Sequence, residues 1–132
     1  MSSQEIETGQ GEWNQSEFDH RFEEAMQAAR SKNMILSRNL YSALLDSKPQ
    51  GYLNLGSTLL NFGKAEYSLG NLPEAARLME GSLRVWPGCI STYKWLAHVY
   101  WKAGKYYKYP VLLLRYWRNI RYVYKEQLRL QE

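Results

Sequence analysis

Cysteine and histidine are scarce in this chain of 132 residues. There is one cysteine, Cys89, and there are two histidines, His20 and His98. A single cysteine cannot form an intramolecular disulfide, which is typical of a reducing compartment, and it excludes a metal site built from cysteines. The histidines lie far apart in sequence, so we predict neither a metal site nor a cofactor.

Long hydrophobic runs are also missing. Spanning a bilayer as a helix takes roughly 20 apolar residues, and the longest apolar cluster, residues 110–114, ends at Arg115. The N-terminus is polar and acidic and lacks the basic start and apolar core of a signal peptide. These absences predict a protein without a transmembrane segment that resides in the cytoplasm, although an organelle stays open.

The groups that catalysis needs are sparse as well. The sequence has no glycine-rich phosphate loop, and no base is placed to activate Cys89. No pair of carboxylates has a spacing that favours general acid and base chemistry. We therefore predict that the protein is not an enzyme.

Strand signals are weak, because valine and isoleucine are few and no Asn-Gly or Asp-Gly turn occurs. Helical periodicity and punctuation by glycine and proline predict an all-α fold instead. A flexible tail is expected over 1–15 and a single helical domain over 16–132. The predicted helices cover about 16–31, 34–46, 55–69, 72–85, 91–103, and 110 to nearly the C-terminus.

Similar residues recur at a separation of 34. Gly70 and Gly104 each end a helix, and the pairs at this separation include Gly63 with Ala97, Phe62 with Leu96 and Leu59 with Tyr93. A glycine after a helix suits a left-handed C-terminal residue. Recurrence at this period predicts a repeat of helical hairpins.

The repeat resembles the tetratricopeptide family. Residues 56–89 match its pattern through Leu59, Phe62, Gly63, Gly70, Ala75, Met79, Ser82, Leu83 and Pro87. Residues 90–123 match through Tyr93, Leu96, Ala97, Tyr100 and Gly104, and then depart at Tyr109 and Pro110. Residues 16–51 form a degenerate repeat that lacks the turn glycine. The resemblance implies stacked antiparallel hairpins, with the long C-terminal helix either capping the stack or docking on a neighbour.

In the tetratricopeptide family, the first helices of the hairpins line a concave groove that binds a peptide or a helix. Mapping that groove onto this chain selects Asn61, Lys64, Tyr67, Lys94, Trp95, His98, Trp101 and Lys102. Lysines interleaved with rings favour a protein partner with acidic and apolar groups. The alternative is that Trp95 and Trp101 pack inside the stack. The resemblance implies an adaptor, assembly factor or chaperone-like subunit of a hetero-complex.

The C-terminal helix is predicted to be amphipathic and basic. Leu112, Leu113, Tyr116, Trp117, Ile120, Val123, Tyr124 and Leu128 share one arc, and Arg115, Arg118, Arg121, Lys125 and Arg129 share the opposite one. The arginine arc is either a solvated face or a contact for nucleic acid, an anionic membrane or an acidic protein. The net charge of +4 is modest for a nucleic-acid binder, so that partner is disfavoured.

Overall fold

The computed structural model describes residues 15–47 and 54–131. Those residues form seven α-helices and no strand, which confirms the all-α prediction for them. The helices are α1 (Gln15–Arg30), α2 (Met34–Ser47), α3 (Leu55–Ser68), α4 (Leu72–Val85), α5 (Ile90–Lys102), α6 (Tyr109–Arg118) and α7 (Ile120–Gln131), and a 3₁₀ turn (Tyr106–Lys108) precedes α6. The predicted tail lies outside the described residues except for Gln15.

Short turns join the helices into pairs, and each helix packs mainly on its neighbours in sequence. The contacts run from α1 to α2, α2 to α3, α3 to α4 and α4 to α5, with α1 also touching α3 and α3 touching α5. A larger buried cluster spans α3 to α7, and two smaller ones join α1 and α2 to α3 and α4. From α2 to α5, each successive helix therefore helps to bury the apolar stripe of the one before it.

All three hairpin turns have the same geometry. A left-handed residue stands at Lys32 (φ 63°), Gly70 (φ 82°) and Gly104 (φ 72°). In each turn its N–H donates to the carbonyl three residues earlier, and the next N–H donates to the carbonyl five residues earlier. This pair of hydrogen bonds satisfies carbonyl groups that lack a hydrogen-bond donor at the end of a helix. The first hairpin thus makes its turn with a lysine where the other two use glycine.

Small residues set how closely the helices of a hairpin approach. In the second hairpin, a Cβ added to Gly63 would lie 2.9 Å from Met79 Cγ and 3.2 Å from the Ala75 carbonyl oxygen, so α3 and α4 are in close contact. At the position 34 residues after Ala75 the third hairpin has Tyr109, whose hydroxyl donates to the Ala97 carbonyl at 2.9 Å. Because the tyrosine ring stands between them, α5 and α6 pack less extensively than α3 and α4.

The C-terminal helix is not continuous, which corrects the prediction of a single helix from residue 110 onward. It breaks at Asn119 (φ −102°, ψ 12°), which ends α6 before α7 begins. The Asn119 side chain donates to the Tyr93 hydroxyl at 3.2 Å, and that hydroxyl donates to the Pro87 carbonyl at 2.9 Å. These bonds direct α7 toward the loop between α4 and α5, where Val123 is buried.

Glu66 shows how a polar residue is accommodated inside the stack. Its carboxylate is buried, lies 3.6 Å from Arg38 Nε of α2, and accepts a short hydrogen bond from the Asn71 side chain. Asn71 stands at the N-terminus of α4, and its side-chain amide binds Glu66 without capping the helix. Glu74, in the first turn of α4, binds Arg77. Glu66 thereby ties α3 to α2 and to the following turn.

Candidate functional site

A pocket of about 330 Å³ lies where the first helices of the three hairpins face each other. Apolar side chains and basic groups line it together. The lining residues are Met26, Ala29 and Arg30 of α1, Met34 and Tyr41 of α2, Asn61, Lys64, Ala65 and Ser68 of α3, and Trp95 of α5. Three of the eight residues predicted for the groove, Asn61, Lys64 and Trp95, lie in this pocket.

Trp95 is the centre of a cluster of rings and cations. Lys64 Nζ lies 5.0 Å from the centroid of its indole, and the Tyr67 ring meets it edge-on at 5.7 Å. His98 lies 5.9 Å away on the same side of α5, and Lys102 Nζ lies 5.7 Å from the Tyr67 centroid. Cations over aromatic faces are attracted by the ring quadrupole, so these side chains hold each other in place. The structure therefore brings together six of the predicted groove residues.

Lys94 and Trp101 lie apart from this cluster. Both occupy the side of α5 that faces α6, about 100° around the helix from Trp95. Lys94 lines a second pocket, between α5 and α6. Trp101 is exposed and contacts Tyr106 and Tyr109, with ring centroids 5.1 Å and 6.5 Å away. Trp101 is thus not packed inside the stack, and Trp95 is only half-buried.

The contribution of the first hairpin to the pocket was not predicted. Met26, Arg30 and Met34 come from a hairpin whose turn residue, Lys32, carries no glycine signal. Lys32 precedes Gly70 by 38 residues, so a strict period of 34 misaligns α1 with α3. Aligning the turns by their left-handed residues places Met26 level with Lys64 and brings the first hairpin into register.

The basic residues predicted for the C-terminal helix are divided between α6 and α7. Arg118, Arg121, Lys125 and Arg129 are exposed, whereas Arg115 is half-buried. Two of them have local partners, since Arg121 stacks on Tyr122 at 5.0 Å and Arg129 pairs with Glu126. On the arc predicted to be apolar, Leu112 and Val123 are buried, but Leu113 and Trp117 are exposed. The covered arc is therefore narrower than predicted.

The described part of the chain has no group of three or more histidine, cysteine, aspartate or glutamate side chains that could hold a metal ion. Cys89 is buried at the start of α5. None of the seven helices has the length and apolar character needed to cross a bilayer.

Comparisons with protein-family models, with curated proteins and with solved structures found no match to this chain.

Proposed function

We propose that the protein is a non-catalytic interaction module of tetratricopeptide type. In this proposal it binds a short segment of another protein in the pocket between α1, α3 and α5 and serves as an adaptor, assembly factor or chaperone-like subunit of a larger cytoplasmic complex. The observation that carries the proposal is the set of side chains around Trp95, where an apolar floor and a basic rim meet in one concavity.

The repeated hairpin turn supports the tetratricopeptide assignment. Three turns share one hydrogen-bond pattern, and the last two are 34 residues apart. A repeat of helix pairs places equivalent helices side by side, and the face they share is available to a ligand. The pocket draws most of its lining from α1, α3 and α5, which are the equivalent helices in the three pairs.

The chemistry of the pocket defines the partner segment. Trp95, Met26 and Met34 offer contact area to one large apolar side chain, because rings and methionines adapt well to such anchors. Arg30 and Lys64 on the rim favour carboxylates on either side of that anchor. We expect an extended or helical segment in which aspartate or glutamate flanks a leucine, phenylalanine or tryptophan.

Selection from a displayed library of random short peptides tests this proposal. The wild-type protein should enrich peptides with a large apolar residue flanked by acidic ones. Lys64→Glu should weaken the best peptide by about tenfold or more, because it places like charges together at the rim. Affinity is measured by fluorescence anisotropy, and circular dichroism checks that the variant keeps its helix content.

Lys125→Glu is the matched control, since it makes the same charge change on the exposed surface of α7, outside the pocket. It should leave peptide affinity within about twofold, as expected for a distant exposed charge screened by salt. No enrichment of acidic peptides, or equal weakening by both variants, would contradict a binding site at the pocket.

A further inference from the structure

A second concavity, independent of the proposed binding pocket, lies between α5 and α6. It has a volume of about 580 Å³, and its lining is almost wholly apolar apart from Lys94. Ile90 and Ala97 come from α5, and Pro110 and Leu113 come from α6. The Tyr109 ring, which separates the two helices, forms part of its wall. We call this feature the α5/α6 groove.

The 34-residue register shows what shape of ligand fits the α5/α6 groove. Leu113 corresponds to Met79, which lies against Gly63 of α3, and Pro110 corresponds to Ala76. Met79 is fully buried in the cluster that includes α5, and Ala76 packs against that cluster. Leu113, by contrast, is 57% exposed. On the second hairpin this surface is thus covered by neighbouring α-helices, and on the third the equivalent surface is open.

The chain's own last helix does not cover this surface. The break at Asn119 sends α7 to the loop between α4 and α5, where a Cβ on Gly88 would lie 2.7 Å from the Tyr122 carbonyl oxygen. The described lining of the α5/α6 groove ends at Tyr116 and includes no residue of α7. Next to the groove, Leu114 and Trp117 of α6 are exposed as well, so the apolar surface extends beyond the concavity.

The charge around the groove determines the chemistry of its ligand. Residues 90–118, which span α5, the 3₁₀ turn and α6, carry six lysines and arginines and no acidic residue. A second copy of this surface would bring like charges together, and a flat lipid surface would not fill a concavity between two helices. We propose that the α5/α6 groove binds a single amphipathic α-helix of another protein, with apolar residues on one face and acidic residues beside them.

A designed peptide provides the probe. It carries leucines at helical spacing with glutamates on both sides, and a matched peptide carries lysines in place of the glutamates. The acidic peptide should bind the wild-type protein at least about tenfold more tightly than the basic one, measured by fluorescence anisotropy. Lys94→Glu should reduce that preference, because it removes a cation from the groove lining.

Leu113→Glu and Ile35→Glu form a matched pair of variants, because each side chain is 57% exposed and only Leu113 lies in the groove. Leu113→Glu should weaken the acidic peptide by about tenfold or more, and Ile35→Glu should not. Lys64→Glu should leave this affinity unchanged, which separates this groove from the pocket around Trp95.

Several results would overturn the proposal. These are equal affinity for the two peptides, no measurable binding of the acidic one, and equal loss in Leu113→Glu and Ile35→Glu. Two others would assign the surface to a different occupant. One is a dimer, seen by light scattering, that Leu113→Glu dissociates; the other is flotation with phosphatidylserine vesicles that Leu113→Glu abolishes while peptide binding persists.

Discussion

At the scale of single residues, Lys32 and Gly70 occupy equivalent turn positions in the first and second hairpins. Both end a first helix in the left-handed conformation with the same pair of backbone hydrogen bonds. A residue with a Cβ is strained there by about 1–2 kcal/mol, whereas glycine is not. The first hairpin thus carries a conformational cost that the second and third avoid.

We expect Lys32→Gly to raise the free energy of unfolding by about 1 kcal/mol, because it removes that strain at an exposed position. The measurement is chemical denaturation. Gly70→Ala is the reciprocal variant and should lower the free energy of unfolding by about 1 kcal/mol, although its Cβ would meet nothing within 4 Å. A loss of stability in Lys32→Gly would show that the lysine side chain contributes more than its backbone strain costs.

Tyr100 makes the free energy of unfolding decrease at alkaline pH. Burial raises the pKa of its hydroxyl well above the usual range, and the hydrogen bond to Glu80 Oε1 at 2.6 Å adds to the effect. Above the ordinary tyrosine pKa of about 10, the unfolded chain releases this proton while the folded chain keeps it. The raised pKa therefore adds stability below about pH 10 that is lost as pH rises further.

We expect Tyr100→Phe to lower the free energy of unfolding by about 1 kcal/mol at neutral pH, since one hydrogen bond is lost. Above about pH 10 the wild-type protein should lose stability more steeply than the variant. Denaturation curves recorded across this pH range check both points. Parallel losses in the two proteins would mean that Tyr100 does not titrate differently on unfolding.

At the scale of elements, α7 is positioned by the loop before α5. Gly88 is buried against the backbone of Tyr122, and an added Cβ would lie 2.7 Å from its carbonyl oxygen. Backbone atoms cannot yield as a flexible side chain does, so a larger residue must displace the helix. Gly81, within α4, has room by comparison, because its nearest neighbours would be 3.6 Å from an added Cβ.

Gly88→Ala should therefore lower the free energy of unfolding by about 1–3 kcal/mol and expose α7 to limited proteolysis. Gly81→Ala should raise it by about 0.5–1 kcal/mol, because alanine replaces glycine inside a helix without a clash. Denaturation and proteolysis of the two variants give the comparison. If α7 in Gly88→Ala resists proteolysis as well as it does in the wild-type protein, the helix does not depend on the contact between Gly88 and Tyr122.

At the scale of the whole molecule, two concave surfaces with different origins lie on one stack of helices. The pocket around Trp95 is formed by equivalent helices of all three hairpins, whereas the α5/α6 groove lies at the end where the repeat pattern stops. Because they use different sides of α5, the two proposals together predict that one chain can bind two partner segments at once.

Local patterns in the sequence were enough to predict the helices and the glycine turns. Helical periodicity and the positions of glycine and proline act within a few residues, so they predicted six helical segments and the left-handed conformation of Gly70 and Gly104. Asn61, Lys64 and Trp95 were instead selected through the resemblance to the tetratricopeptide family, whose groove positions were mapped onto this chain.

Other features were decided only by contacts between distant elements. Asn119 breaks the last helix because Tyr93, 26 residues earlier, accepts its hydrogen bond. Leu113 is exposed and Leu112 buried, although both belong to the same predicted arc. Periodicity indicates which face of a helix is apolar, but whether a residue on that face is buried depends on the neighbouring helix. Here the Tyr109 ring keeps α5 away from α6, so Leu113 stays exposed.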